Sequence, residues 1–251
     1  MIDAIRSEWV KLRSVRLSLV LSIIGVAFPL VVTVLTSVFA DAEGWSVTDI
    51  ASLVTGTSVV TGLMLGVVGA AGVTSEYGFG TIRVTFAATP RRGRVVTAKM
   101  VVTLGLAVVV QLVVIVTAFP VGALVFESRG ASLDMTDRFG DAVSALVGVV
   151  AFAAILSVLG LAIGLVVRAT PAAIAILVLW PLIIENIIGA LLYAAGFEGA
   201  LDWLPYSAGF RLTAVDPGDQ ALGRVLGGLY FAAWTTAVLV LGSVLARRRD
   251  A

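Results

Sequence analysis

Histidine and cysteine are both absent from this sequence of 251 residues. Without histidine there is no Ser-His-Asp triad and no HExxH zinc site. Without cysteine there is no thiol nucleophile, thiolate metal cluster or disulfide. Charged residues are also scarce at 13%, whereas 59% of the residues are hydrophobic. A soluble domain carries roughly 25% charged and about 45–50% apolar residues, so the composition excludes that class, and it excludes a disordered chain as well.

Long apolar runs are what the sequence has instead. A helix needs about 20 apolar residues to cross a bilayer, and six runs reach that length, with Glu185 as the only charged residue among them. We predict an all-α polytopic membrane protein, a single six-helix transmembrane domain, with spans one to six at 17–39, 51–74, 101–126, 142–167, 171–195 and 225–246.

The connections between the spans separate by charge. Lys and Arg outnumber Asp and Glu by 13 to 4 in one set of segments, which comprises 1–16, 75–100, 168–170 and 247–251. In the other set, 40–50, 127–141 and 196–224, acids outnumber bases by 11 to 4. The positive-inside rule therefore places both termini in the cytoplasm. The net charge of +1 gives no indication of nucleic-acid binding.

The N-terminal segment 1–16 has the pattern of an amphipathic helix. Ile2, Ile5, Trp9 and Leu12 share one helical face, and basic residues lie elsewhere around it. We expect this helix to lie in the membrane interface, with Trp9 at headgroup depth. It is either a topology anchor or an elbow helix that touches a partner, and the two roles are compatible.

The cytoplasmic segment 75–100 contains five basic residues, and Glu76 lies at its start. Gly78 and Gly80 weaken a helix there, and Pro90 ends whatever precedes it. A charged loop of this kind commonly does no more than fix topology. No G-x-x-x-x-G-K-[ST] phosphate loop occurs in the sequence, so energy for uphill transport has to come from an ion gradient or another polypeptide.

Several short motifs together resemble ABC-2 type transporter permeases. They are SEWVKLRS before span one, then Glu76, Gly80-Thr81-Ile82-Arg83, Thr89-Pro90-Arg91-Arg92 and Ala98-Lys99 between spans two and three. Each motif is weak alone, but their order and their placement on the right spans match the family over nearly the whole chain.

The resemblance implies the permease subunit of a bacterial exporter in the plasma membrane. Such a subunit has no catalytic, cofactor or metal site; it pairs with a second permease protomer, identical or different, and with two ABC ATPase subunits that bind ATP and Mg²⁺. The segment 75–100 would be the coupling loop on which the ATPase docks. The positions that match the family's docking motif are Glu76, Tyr77, Gly80, Thr81, Arg83 and Arg91.

Span five contains the intramembrane charge. A charged residue near the bilayer centre costs about 2.5–3.5 kcal/mol on insertion scales, so Glu185 requires a reason. Pro181 precedes it by four residues and predicts a kink that frees a carbonyl near Leu177, and Asn186 adds a second polar group. Glu185 and Asn186 line the pathway or its gate, or Glu185 fastens span five to the outer segment or to a neighbour.

The outer segment 196–224 mixes aromatics with acids. The resemblance implies short re-entrant helices that cap the pathway, with Trp203, Pro205 and Tyr206 in the cap. An aromatic belt at the membrane interface would have the same composition.

Pairs of glycines at one-turn spacing occur on three spans and predict close helix packing, mostly within one protomer. They are Gly62 and Gly66, Gly160 and Gly164, and Gly223 and Gly227.

Other functions fit less well. An ion-coupled secondary transporter should have several intramembrane ionisable residues and internal repeats, whereas the spans contain only one charged residue, Glu185, and show no visible repeat. A channel should have a selectivity filter, and no segment of that kind stands out in the sequence. An intramembrane enzyme without His or Cys would have to be of the aspartyl type, and neither Asp141 nor Asp219 lies within a span. The cargo is open: lipid, peptide, drug and ion all suit an apolar pathway.

Overall fold

Six helices in the described part of the chain are long and apolar enough to cross a membrane. The computed structural model describes residues 1–81, 92–131, 133, 138–197, 199–216, 218 and 222–249, without the side chains of 92, 247 and 249. In this part of the chain the fold is helical, which confirms the predicted fold class. Spans one to six are Arg16–Phe39, Val47–Gly78, Arg92–Ser128, Phe139–Val167, Thr170–Ala194 and Arg224–Arg249.

Spans two and three are longer than the apolar runs that predicted them. Span two begins at a capping box, in which the Asp49 amide donates to Ser46 Oγ and the Ser46 amide donates to Asp49 Oδ2. Span three starts at Arg92, nine residues before its apolar run. The predicted loop 75–100 is therefore too long: residues 75–78 and 92–100 are helical, and Glu76 and Lys99 stand on helices.

A separate helix, Ile2–Ser14, precedes span one. Val15 is extended and breaks the helix, and span one starts at the next residue. On the predicted apolar face, Ile2 is 81% exposed and Trp9 is 45% exposed, as expected for side chains that contact lipid rather than protein. The location of helix Ile2–Ser14 in the membrane interface remains a prediction.

Spans two and four form the centre of the bundle. In their most apolar stretches 56% and 61% of the residues are buried, against 17% in span one and 22% in spans five and six. Small residues allow this close packing: a Cβ added at Gly160 would lie 1.9 Å from the carbonyl oxygen of Gly66, and one at Gly69 would lie 2.3 Å from that of Ser157. Of the predicted pairs on these spans, Gly66, Gly160 and Gly164 therefore pack closely within the protomer, whereas a Cβ at Gly62 would be in ordinary contact at 3.5 Å.

In the third glycine pair, Gly223 and Gly227, one of the two glycines packs closely against another element. A Cβ at Gly227 would lie 2.4 Å from the Ala208 carbonyl oxygen, so span six packs closely on the outer segment there. A Cβ at Gly223 would meet nothing within 4 Å among the described residues. The close packing expected of most of these glycines is thus seen at Gly227 and not at Gly223, which lies just before the helix begins.

Span five is interrupted by one π-helical turn, Trp180–Ile184. Pro181 in this turn has no amide hydrogen to donate, and the Glu185 amide reaches back five residues to the Trp180 carbonyl. The side chain of Asn186 donates to the carbonyl oxygens of Pro181 (3.1 Å) and Leu182 (3.0 Å). The structure thus has a π-helical turn where a kink was predicted, and Asn186 satisfies two carbonyls of that turn.

The described residues of the outer segment form three short helical pieces: Ala200–Trp203, Pro205–Phe210 and Arg211–Thr213. Pro205 stands at the first position of its helix, where its missing amide hydrogen costs nothing. Tyr206 packs edge-on to Phe152 of span four and Phe231 of span six, with ring centroids 5.3 and 6.2 Å away. Arg211, which is buried, donates to the Leu222 carbonyl (2.6 Å) and pairs with Asp202. These contacts fix the segment on spans four and six.

Candidate functional site

Four charged side chains meet at the end of the bundle where the N-terminal helix lies. We call Glu8, Lys11, Glu76 and Lys99 the charged junction. Lys99 Nζ donates to Glu8 Oε2 (2.6 Å), Glu76 Oε1 (2.8 Å) and the Gly72 carbonyl (3.1 Å). Lys11 Nζ donates to Glu8 Oε1 (2.7 Å) and Glu76 Oε1 (2.9 Å). The junction therefore ties together the N-terminal helix, the end of span two and the start of span three.

Burial makes these ion pairs interdependent. Glu8, Glu76 and Lys99 are each exposed by 8% or less, and two carboxylates balance two ammonium groups. Breaking a buried pair by removing one partner costs about 3–5 kcal/mol, because an uncompensated charge remains. Partial burial lowers the pKa of Lys11, but its hydrogen bonds to Glu8 and Glu76 outweigh this and leave its pKa raised, so Lys11 stays charged at neutral pH.

Among the described residues, one acceptor in the junction has no partner. Glu76 Oε2 is buried without a hydrogen bond to any of them, whereas both oxygens of Glu8 are used. The junction forms part of the wall of a cavity of about 710 Å³ that extends between the N-terminal helix and the adjoining ends of spans one to three. The rest of the wall is mainly apolar and hydroxyl side chains, among them Leu17, Val68 and Thr103.

The structure places the described docking residues in three different settings. Glu76 belongs to the charged junction. Tyr77 packs under Arg168, whose Cζ lies 4.5 Å from the ring centroid, and so joins the end of span two to the connection between spans four and five. Gly80, with φ of +70°, and Thr81 are exposed just beyond the span. The predicted docking residues Arg83 and Arg91 lie outside the described residues.

Sequence reasoning missed two parts of this site. Glu8 was not singled out, and Lys99 was recognised only as part of a motif. Two signals in the sequence could have indicated the junction: the Glu-x-x-Lys pair on the N-terminal helix, and the opposite charges at the ends of spans two and three. Phe79 was also missed. It caps span two and is 82% exposed, which marks a large apolar side chain available to a partner.

Glu185, the intramembrane charge, contacts the outer segment. Its carboxylate accepts from the amides of Tyr206 (2.8 Å) and Ser207 (2.9 Å), from Ser207 Oγ (2.9 Å) and from Trp180 Nε1 (3.1 Å). It is 2% exposed. The carboxylate thus satisfies the first amides of helix Pro205–Phe210 and fastens span five to it. A role in the pathway or gate for Glu185 and Asn186 remains a prediction.

The predicted cap residues surround this fastening point. Burial, followed by the nearby Glu185 carboxylate, raises the pKa of the Tyr206 phenol above its usual value, so Tyr206 stays neutral. Trp203 is 54% exposed, and its carbonyl accepts from Tyr230 Oη of span six (2.9 Å). No group of three acidic side chains capable of holding a metal ion occurs among the described residues.

The comparison with known protein families agrees with this architecture. The sequence profile described as ABC-2 family transporter protein matches residues 4–184, from the N-terminal helix to the π-helical turn of span five. No curated protein matches the chain. With more than half of the chain matched and six spans present, the chain belongs to the ABC-2 transporter family and is a multi-pass membrane permease of an ABC-type transporter.

Proposed function

We propose that this permease is the pathway-forming subunit of a bacterial exporter, driven by separate ATPase subunits that dock on the segment between spans two and three. The observation that carries the proposal is the charged junction, because it connects both ends of that segment to each other and to the N-terminal helix. A force on the segment is then transmitted to spans two and three as one unit.

The surface next to the junction suits a docking partner. Phe79, Gly80 and Thr81 are exposed where span two ends, and Phe79 offers an apolar side chain with little protein around it. In our proposal ATP and Mg²⁺ bind to the partner subunits, since the sequence has no phosphate loop. Both termini lie in the cytoplasm of a plasma-membrane protein, and the Lys and Arg excess on that side supports this orientation.

A second permease protomer completes the pathway in this proposal. Spans one, five and six bury little of their surface within the chain. Their exposed apolar side chains, such as Ile23 at 67% and Leu191 at 66%, suit lipid or another protomer. Whether that protomer is a second copy of this chain or a different permease, the rocking mechanism is the same: ATP closes the ATPase pair and the spans rotate as rigid bodies.

The test is ATPase stimulation in proteoliposomes that contain the permease and the ATPase that co-purifies with it. We expect Arg83→Glu to abolish the stimulation, because it reverses charge in the docking segment. Arg248→Glu, an exposed residue near the C-terminus, makes the same change outside the segment and should retain the stimulation. Undiminished stimulation in Arg83→Glu would refute docking there, and solute accumulation by the chain alone would favour a secondary transporter.

A further inference from the structure

We propose that the cavity beside the charged junction binds the headgroup of a phospholipid with a primary amine, with the ammonium group on Glu76 and the phosphate near Lys11. The proposal concerns a lipid site and holds whether or not the ATPase docks as proposed above.

The unpartnered Glu76 Oε2 defines the first requirement for a ligand. A buried carboxylate oxygen without a hydrogen bond is unfavourable, so the site favours a ligand that donates to it. Less than 1 Å² of this oxygen is exposed, so binding of an ammonium requires the carboxylate to turn about its terminal bond, a torsion with a broad energy minimum, while Lys11 and Lys99 follow Oε1 to keep their hydrogen bonds. A cation is the strongest donor for a carboxylate.

Lys11 and the charge balance define the second requirement. Lys99 uses its three donors on Glu8, Glu76 and Gly72, whereas Lys11 makes two hydrogen bonds to side chains of the junction and its side chain is 41% exposed. An ammonium has three donors, so Lys11 has one to offer to an anion. Because the junction is neutral overall, a ligand with one positive and one negative group fits it without leaving a net buried charge.

The size and surroundings of the cavity suit a lipid. Its volume of about 710 Å³ far exceeds that of one water molecule and lies in the usual range of small-ligand pockets. Leu17 lines the cavity and is 41% exposed, and it continues into the exposed apolar face of span one, with Val20 and Ile24. Acyl chains can follow that face while the headgroup enters the cavity.

The experiment measures lipid binding to the purified chain by native mass spectrometry, with dioleoyl phosphatidylethanolamine, phosphatidylcholine and phosphatidylglycerol compared. Phosphatidylcholine keeps the phosphate and the positive charge but has no N–H donor, and phosphatidylglycerol has no ammonium. We expect phosphatidylethanolamine to bind at least about tenfold more tightly than either, equal to about 1.4 kcal/mol. Equal affinities in the unmodified chain would overturn the proposal without any variant.

Two variants then locate the contact. Glu76→Gln removes a carboxylate of the junction, whereas Asp3→Asn removes an exposed carboxylate of the N-terminal helix outside the junction, and each raises the net charge of the chain by one. Asp3→Asn should keep the lipid preference and Glu76→Gln should lose it. Equal loss in both variants would overturn the assignment to Glu76. Competition by soluble phosphoethanolamine at micromolar concentration would overturn the lipid assignment, since it would show that the headgroup alone suffices.

Discussion

Replacement of Gly160 by alanine tests the packing of spans two and four directly. The added Cβ would lie 1.9 Å from the Gly66 carbonyl oxygen, whereas ordinary contact begins at about 3.4 Å. The two spans would have to separate locally by about 1.5 Å, the difference between these distances. Because the neighbour is backbone and cannot rotate away, we expect a cost at the upper end of the overpacking range, about 3 kcal/mol.

The matched control is Gly105→Ala on span three, where a Cβ would meet nothing within 4 Å. Alanine is the better helix former, so this variant should be unchanged or more stable by up to about 1 kcal/mol. For a chain of this size about 3 kcal/mol corresponds to a fall in Tm of about 6–12 °C. Tryptophan fluorescence during heating in detergent measures the Tm of each variant. The variants are compared at one scan rate, because membrane proteins unfold irreversibly.

The reasoning would be refuted if the two variants melted within about 2 °C of each other, since an alanine methyl group would then fit between the spans. A fall confined to Gly160→Ala would show that the spans are in backbone contact.

Three further predictions concern the polar sites. Lys99→Met should lower the free energy of unfolding by about 3–5 kcal/mol, because both junction carboxylates lose a partner. The double variant with Glu8→Gln should regain part of that free energy. An unchanged Tm in Lys99→Met would contradict a buried ion pair. Glu185→Gln should lower stability by about 2 kcal/mol, since an amide cannot accept all four hydrogen bonds, and normal stability in the fluorescence assay would remove the fastening role. Lys11 has a folded pKa above its ordinary 10.5, so its contribution should be complete below pH 10.5 and should fall as the pH rises through the folded pKa. Heating scans at pH values from 9 to 11.5 measure how Tm depends on pH, and this dependence should be weaker in Lys11→Met.

The six spans could be predicted because their signal is local. Each apolar run reports directly that its residues avoid water, and the only charge inside the runs was visible as an exception at Glu185. The helix ends were predicted less well. Spans two and three extend past their apolar runs because a helix continues through polar residues such as Glu76 and Lys99 when another part of the chain pairs with them. Hydropathy reports residues one by one and cannot report that pairing.

The candidate site shows the same division. The motif around Glu76 and Lys99 could be recognised, but their meeting with Glu8 depends on how the N-terminal helix folds back, and 91 positions separate Glu8 from Lys99. The two interpretations of Glu185 could not be separated for a similar reason. Two of the four groups that donate to its carboxylate are backbone amides of the outer segment, and any sequence supplies such amides.

The π-helical turn in span five has a consequence for how the family sequence can vary. An α-helix turns about 100° per residue, so the turn Trp180–Ile184 holds one residue more than a regular helix of the same rise would need. Loss of one residue here would restore regular winding and leave the later side chains near their present face, because the wide turn absorbs the extra residue. Loss of a residue in the regular helix before this turn has no such compensation; it would rotate every later side chain by about 100° and aim the Glu185 carboxylate away from Ser207. The π-helical turn is therefore the place before Glu185 where the span can change length by one residue and still present the same face to the cap.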